Sequence, residues 1–321
     1  MEIATKFKIY ILDPYHPDAI DLALKTRNAE IILPGDPRTA NWHADADGLM
    51  IRSDSTLTEE DFAKALRLKV VVKQGVGVDN IDLAGAKKHG IAVHNTPAFN
   101  SESVAELSLT LTLALSRRVT EIDRAVRGGT TVIRSQVLGT SMFRKTVGIV
   151  GMGNIGRIIG QKWTGAFECS LVAYDPYAPS DAWGEIAHSR TTQLHDLLGV
   201  ADVVTLHVPL VDSTRKLIGA PEIKAMKKTA FLINCSRGGV VDENALLDAL
   251  VNKQIGGAAL DTTEIEPPTL ITYKKFLEHE NVIITPHIGG STQENQSRNG
   301  CFVVESLFKA LEGKWADGKL V

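Results

Sequence analysis

Late in the sequence, three short apolar runs are each followed by a side chain that could do chemistry. Arg237 comes after "AFLIN" (230–234), Glu266 after "GAALD" (257–261) within "DTTEIEPP", and His287 after "VIITP" (282–286). A guanidinium can hold and polarise an oxyanion, and an imidazole can move a proton. A carboxylate beside the imidazole keeps it protonated. Each residue alone has an ordinary explanation: a surface ion pair or helix cap for Arg237, a solvated loop charge for Glu266, a satisfied loop contact for His287. Together they could work on one oxygen-bearing substrate: a cation for the substrate oxygen, an acid–base group for its proton, and a carboxylate behind that group.

Such a set is useful only if the elements before it converge. Short β-rich runs alternate with helix-period segments along the whole chain, the mark of βα units around parallel sheets. A first group of strands is predicted at 8–12, 30–33, 48–52, 70–72 and 91–94, and a second group of six at 146–150, 170–175, 202–208, 230–234, 257–261 and 282–286. Thr58 and the carboxylates after it suit a helix start. Between the groups, "NSESVAELSLTLTLALSRRVTEIDRAVRGG" reads as one long helix, with Ser103 and Glu106 at capping-box spacing and Gly128 and Gly129 as its stop. The final helical stretch, "NQSRNGCFVVESLFKALEG", is expected to return to the first group. In an open α/β sheet ligands bind beyond the carboxyl ends of the strands, so Arg237, Glu266 and His287 all emerge on one side.

On that side, strand 146–150 runs into "GMGNIG", with Gly151, Gly153 and Gly156 ahead of a helical pattern. A tight turn without a ligand would use the same residues. The strand before and the helix after make it a dinucleotide fingerprint, in which a helix N-terminus meets a pyrophosphate. Asp175 closes the next strand, 175 − 151 = 24 residues on, near the expected place of a ribose-binding acid. A carboxylate there accepts from ribose hydroxyls and repels a 2′-phosphate, favouring NAD over NADP; a turn residue before Pro176 is the other reading.

Composition narrows the classes. The 321 residues, 44% hydrophobic and 23% charged with a net charge of −3, fit a soluble chain of two domains and give no basic footprint for nucleic acid. Cys169, Cys235 and Cys301 are too far apart for a metal cluster, so no metal is expected. The first apolar run ends at Asp13 and Pro14, and the apolar part of the long helix ends at Arg117 and Arg118. Neither a targeting nor a membrane segment is read, and a cytoplasmic location follows.

"GMGNIG", "NCSRGGVVDENAL", "ALDTTEIEPP" and "TPHIGGST", with "GVGVDNIDL" and "NTPAFNSESVAE" upstream, resemble the D-isomer-specific 2-hydroxyacid dehydrogenases, most closely the phosphoglycerate dehydrogenase branch. The resemblance implies an α/β protein of two doubly wound parallel-sheet domains. A Rossmann dinucleotide domain (101–290) would be inserted into a flavodoxin-like substrate domain (1–100 and 291–321), with the active site in the cleft between them. By similarity, Arg237 binds substrate carboxylate and carbonyl, His287 is the general acid–base, and Glu266 raises its pKa. Asn154, Ile155, Asp175, His207, Val208, Pro209, Cys235, Ser236 and Asp261 match cofactor-contacting positions, although several would serve equally as core at strand ends. Gly75, Val76 and Gly77 resemble a carboxylate cradle, chemically sensible as a nest of N–H groups, or else form a tight turn before Asp79. Arg52 and Lys73 resemble positions that contact the phosphate of phosphoglycerate, or are ordinary surface cations.

The implied reaction is NAD-dependent hydride transfer at carbon 2 of a small 2-hydroxy or 2-oxo acid: 3-phosphoglycerate, glyoxylate, hydroxypyruvate or a related acid. A homodimer is implied, and no regulatory domain is expected after the last helix. Two departures from the pattern stand out: Thr263 where an aromatic residue is usual, and "GTTVIRSQVLGTSMFRKT", which lacks the usual tryptophan in the arm that commonly makes the dimer contact. NAD-sensing corepressor scaffolds keep the same three residues, so a binding module is the alternative of a different class.

Overall fold

The computed structural model describes residues 7–314 and 317–321; the first six residues of the expected first domain, and residues 315 and 316, lie outside the described residues. The chain divides into two compact units, one formed by the residues up to 100 and from 291 onward, the other by 101–290.

The first unit is built on β1 (Phe7–Ile11), β2 (Ala29–Ile32), β3 (Gly48–Ile51), β4 (Val70–Lys73) and β5 (Ala92–His94). All pair in parallel in the order β2-β1-β3-β4-β5, the flavodoxin-like order. Apolar residues occupy both faces because each face is covered. Ile9, Ile11, Met50 and Val72 pack with Val303, Val304 and Leu307 of the helix Gln293–Leu311, while Tyr10, Leu49, Ile51 and Val71 pack with Phe62 on the other side. The last helix therefore does return to the first sheet. Gly48 lets it sit close: a Cβ there would stand 3.0 Å from a Leu307 methyl. At Thr58 the expected helix start forms, the Asp61 carboxylate accepting from both the N–H and the hydroxyl of Thr58 at 2.8 Å. The edge of β5 is covered by the C-terminal residues, with Asn95 N–H to Gly318 O at 2.9 Å and Leu320 N–H to Val93 O at 2.8 Å.

The second unit carries a parallel sheet of β6 (Thr146–Val150), β7 (Ser170–Tyr174), β8 (Ser189–Thr191), β9 (Val203–Leu206), β10 (Phe231–Asn234), β11 (Gly257–Leu260) and β12 (Val282–Ile284). The order is β12-β11-β10-β9-β6-β7-β8. Six of these strands are the predicted ones. The seventh, β8, is an exposed edge strand reading "SRT", which has no apolar pattern to betray it. Strand order reverses at β6, flanked by β7 and β9, so the ligand crevice of this Rossmann-type sheet lies beyond β6 and β9.

The long helix is corrected to two, Ser101–Ser116 and Val119–Arg127. The break has a local cause. Thr140 N–H takes the carbonyl of Ser116 at 2.7 Å, and Arg118 turns left-handed at φ 57°. Ser103 lies buried in the first turn, because the helix begins three residues earlier than the capping-box spacing suggested. No helix of the described residues is long and apolar enough to cross a membrane.

Candidate active site

Beyond β6, the glycines act by what they lack. Gly151 holds φ at +101°, and a Cβ there would stand 2.4 Å from the carbonyl oxygen of His207. A Cβ on Gly156 would meet the carbonyl of Gly151 at 2.3 Å, so the helix Asn154–Phe167 can lie against the strand only with glycine there. Gly153 differs: nothing lies within 4 Å of its missing Cβ. The middle glycine thus faces open space at the N-terminus of a 14-residue helix, whose first N–H groups have no partner within the helix. Asn154 and Ile155 form its first turn, Ile155 packing on the core. This cradle fits a diphosphate.

Asp175 takes the turn role that its sequence offered, with acceptor capacity to spare. Its carboxylate accepts from Tyr177 N–H (2.9 Å) and Ala178 N–H (3.2 Å), forming the turn, and from Met152 N–H (2.9 Å), tying the turn to the glycine loop. A carboxylate has about four acceptor positions, so one remains for a ribose hydroxyl. Arg190 on β8 was not legible as a site residue. It donates to the carbonyls of Asp175, Ala178 and Pro179, each at 2.7 Å, and fixes this loop from an edge strand without sequence signal.

Beyond β9, His207 continues the ladder through its N–H to Val150 O at 2.8 Å. Its Nε2 lies 2.7 Å from Thr205 Oγ1, which in turn lies 3.1 Å from Ser108 Oγ. Burial pushes the imidazole down to about 3, so it is neutral at working pH, and its buried Nδ1 has no partner among the described residues. An orphaned ring nitrogen at the switch point suits a bound polar group. A Val208 methyl lies 3.1 Å from where a Gly151 Cβ would stand, and the Pro209 carbonyl accepts the Thr214 hydroxyl at 2.6 Å.

Beyond β10, the Asn234 side chain shapes the turn. Its Oδ1 accepts from Ser236 N–H (3.0 Å) and hydroxyl (2.6 Å), and its Nδ2 donates to Arg237 O (2.9 Å). The Cys235 thiol is pushed far up by burial and stays protonated, hence unreactive. Arg237 donates to Ser236 O at 2.7 Å. At Gly238 a Cβ would fall 2.0 Å from the carbonyl oxygen of Thr263, so the loops after β10 and β11 run in direct contact.

His287 Nδ1 and Glu266 Oε2 lie 3.0 Å apart. Burial pushes Glu266 up, but the hydrogen bond and charge of His287, the Thr263 N–H and the Arg237 guanidinium outweigh it and hold the carboxyl below its usual range. The three residues singled out by spacing are therefore brought within electrostatic reach of one another. His287 and Glu266 remain 41% and 38% exposed, open to substrate and to proton exchange with water. The backbone of His287 is left-handed, φ 56°, and its N–H donates to Asp261 O at 2.8 Å. The buried Asp261 carboxylate accepts from the Thr285 hydroxyl (2.7 Å), Ile288 N–H (2.8 Å) and Gly289 N–H (2.9 Å). Matched in sequence to a cofactor contact, it is seen here holding the loop that carries His287.

In the first unit, Gly75 has φ +125° and spends its N–H on the Thr96 hydroxyl at 2.8 Å. Among the described residues no acceptor is found for the N–H groups of Val76 and Gly77, which leaves two donors of the expected nest. Lys73 corrects the surface-cation reading. It is 5% exposed, and its ammonium donates to Gly77 O, inside the same loop. Arg52, partly exposed, donates to Pro14 O at 2.9 Å and borders a cavity of about 300 Å³ with Tyr15, His16 and Thr292. Among the described residues no group of three His, Cys, Asp or Glu could hold a metal.

A two-domain Rossmann-type enzyme architecture with an Arg, Glu and His set at the strand ends is thus on hand. Residues 109–289 match the model of the D-isomer specific 2-hydroxyacid dehydrogenase NAD binding domain, and the chain belongs to that family. It is 38% identical, over 97% of its length, to D-3-phosphoglycerate dehydrogenase of Methanocaldococcus jannaschii, but spans only 58% of that relative. It is 35% identical to hydroxypyruvate reductase of Thermotoga maritima, covering 95% of this chain and 99% of the relative. Among solved structures, D-lactate dehydrogenase of Aquifex aeolicus, complexed with NAD and lactic acid, superposes with a TM-score of 0.81 at 30% identity, covering 95% of this chain and 96% of that one.

Proposed function

We propose that the chain is an NAD-dependent D-2-hydroxyacid dehydrogenase that interconverts a small 2-hydroxy acid and its 2-oxo acid. The observation that carries the reading is the 3.0 Å pairing of His287 with Glu266 where the charge of Arg237 is also felt, on the sheet that bears the glycine loop. NAD would be held by Gly151, Gly153, Asn154, Ile155 and Gly156 at its diphosphate, by Asp175 at its ribose, and by the 207–209 and 235–236 turns and Asp261 along the strand ends. When bound it supplies or accepts the hydride. Arg237 then binds the substrate carboxylate and polarises the carbonyl. In reduction His287 delivers the proton to the substrate oxygen, and in oxidation it removes it, while Glu266 steadies the charged ring. Val76 and Gly77 N–H groups are read as further carboxylate donors.

Relatives named for phosphoglycerate, hydroxypyruvate and lactate keep the substrate open among small 2-oxo acids. Arg52 is the residue we assign to a phosphate or other polar group on carbon 3, and Lys73, turned into its own loop, is assigned to shaping that loop. We read the chain as cytoplasmic and as a homodimer. The exposed Val119, Val126, Ile133, Leu138 and Phe143 on segment 119–143 would be covered by a second copy despite the missing tryptophan. Oxidation of NADH by a panel of 2-oxo acids, phosphorylated and not, tests the assignment. Turnover of one or more acids is expected; none by any acid would leave a binding module.

A further inference from the structure

We propose that Glu243 and Tyr273 are positioning residues for the Glu266–His287 pair, clamping the segment 263–266 so that the Glu266 carboxylate stays against the imidazole. The proposal rests on the acid–base reading of that pair. Glu266 sits in a loop between β11 and the helix Leu270–Leu277, and Glu264, Ile265, Glu266 and Pro267 are all exposed. Ile265 is 57% exposed, so burial of its side chain does not anchor the loop. Hydrogen bonds do. Glu264 N–H donates to Glu243 Oε1 at 2.7 Å, and Ile265 N–H donates to the Tyr273 phenol oxygen at 2.9 Å. The phenol donates in turn to Glu243 Oε2 at 2.9 Å. One carboxylate thus grips two consecutive backbone amides, one directly and one through a hydroxyl, immediately before Glu266.

Glu243 stands in the first turn of its helix, where any carboxylate is favourable, but capping is not asked of it. The helix Glu243–Val251 is already capped by Asp242, whose carboxylate accepts from Asn244 and Ala245 N–H at 3.2 Å. A phenylalanine would fill the Tyr273 site, since the ring is 3% exposed and 6.1 Å from Phe276, and among the described residues its hydroxyl is used only toward this loop and Glu243. The Thr263 hydroxyl completes the clamp by donating to Ile265 O at 3.0 Å. That gives a role to the threonine found where the family pattern has an aromatic residue: it leaves the loop to be held by polar groups.

The test is Tyr273→Phe, with Glu243→Gln as a second variant and Glu266→Gln as reference, all in the full chain. For Tyr273→Phe we expect kcat with NADH and the best 2-oxo acid to fall about ten-fold, as displacement of a catalytic group does. The KM for NADH should hold. The alkaline limb of the kcat profile should move to lower pH, because a carboxylate engaged less of the time favours a protonated partner less. Amide exchange at Glu264 and Ile265 should quicken, and Glu243→Gln should act in the same direction. A lower melting temperature with unchanged kcat, limb and exchange would mean the hydroxyl is merely structural and overturn the proposal. A limb that moves in Glu266→Gln but not in Tyr273→Phe overturns the clamp alone; a limb that moves in neither removes the acid–base reading and the clamp with it. Should no acid turn over, the exchange rates decide, and unchanged protection of Ile265 in Tyr273→Phe overturns the clamp.

Discussion

The glycine loop and the His287 loop leave the same sheet, yet they are shaped by opposite means. At residues 151–156 the backbone takes its path because atoms are missing: contacts at 2.3 and 2.4 Å would bar any Cβ at Gly156 and Gly151. At residues 261–289 the path is imposed by atoms that are present: the Asp261 carboxylate gathers three donors from 24 to 28 residues on, and Glu266 joins the nearby Thr263 N–H to the distant His287 ring. A site that must let a backbone approach a diphosphate is made by removal. One that sets an imidazole against a carboxylate is made by polar bonds.

The two regions should therefore fail differently. His287→Ala should lower kcat by roughly 10³-fold, within the usual reach of a general acid–base group, while NADH binding, read by fluorescence, and folding persist. Arg237→Lys should also retain NADH and lose most turnover, because an ammonium cannot replace a bidentate guanidinium. Gly151→Ala should do the reverse. The left-handed backbone and the His207 carbonyl together predict a loss of about 3 kcal/mol in unfolding stability and loss of NADH affinity. Loss of NADH binding in His287→Ala would show that the regions are not separable.

The same contrast explains what the sequence disclosed. Three glycines within six residues are a local pattern, and strands buried on both faces are continuous apolar runs, so the cradle, both sheets and the strand-end positions of Arg237, Glu266 and His287 could be read directly. Features made by long-range polar bonds could not. Arg190 lies on an edge strand without periodicity, Lys73 turns inward although its neighbours give no hint, and Asp261 is engaged by partners 24 to 28 residues later. The helix break at Arg118 depends on Thr140, which no local propensity reveals.

Asp202 sharpens the comparison from the other edge of the second sheet, where strands begin. Its carboxylate accepts from Thr146 N–H and Lys227 Nζ, both at 2.9 Å, and its backbone links the starts of β6 and β10. Burial pushes its pKa up, but the Thr146 N–H and the Lys227 and Lys145 charges outweigh it and leave it lowered. A carboxylate lowered in the folded state stabilises the fold above its unfolded pKa, and that contribution fades as pH falls through the folded value. Asp202→Asn should therefore cost about 1 kcal/mol at neutral pH, a figure discounted for partial exposure. In denaturant unfolding the gap to the parent should close well below pH ~4, the ordinary carboxylate range. Turnover should be unchanged, because this carboxylate stands where strands start, at the opposite strand ends from Asp261 and Glu266.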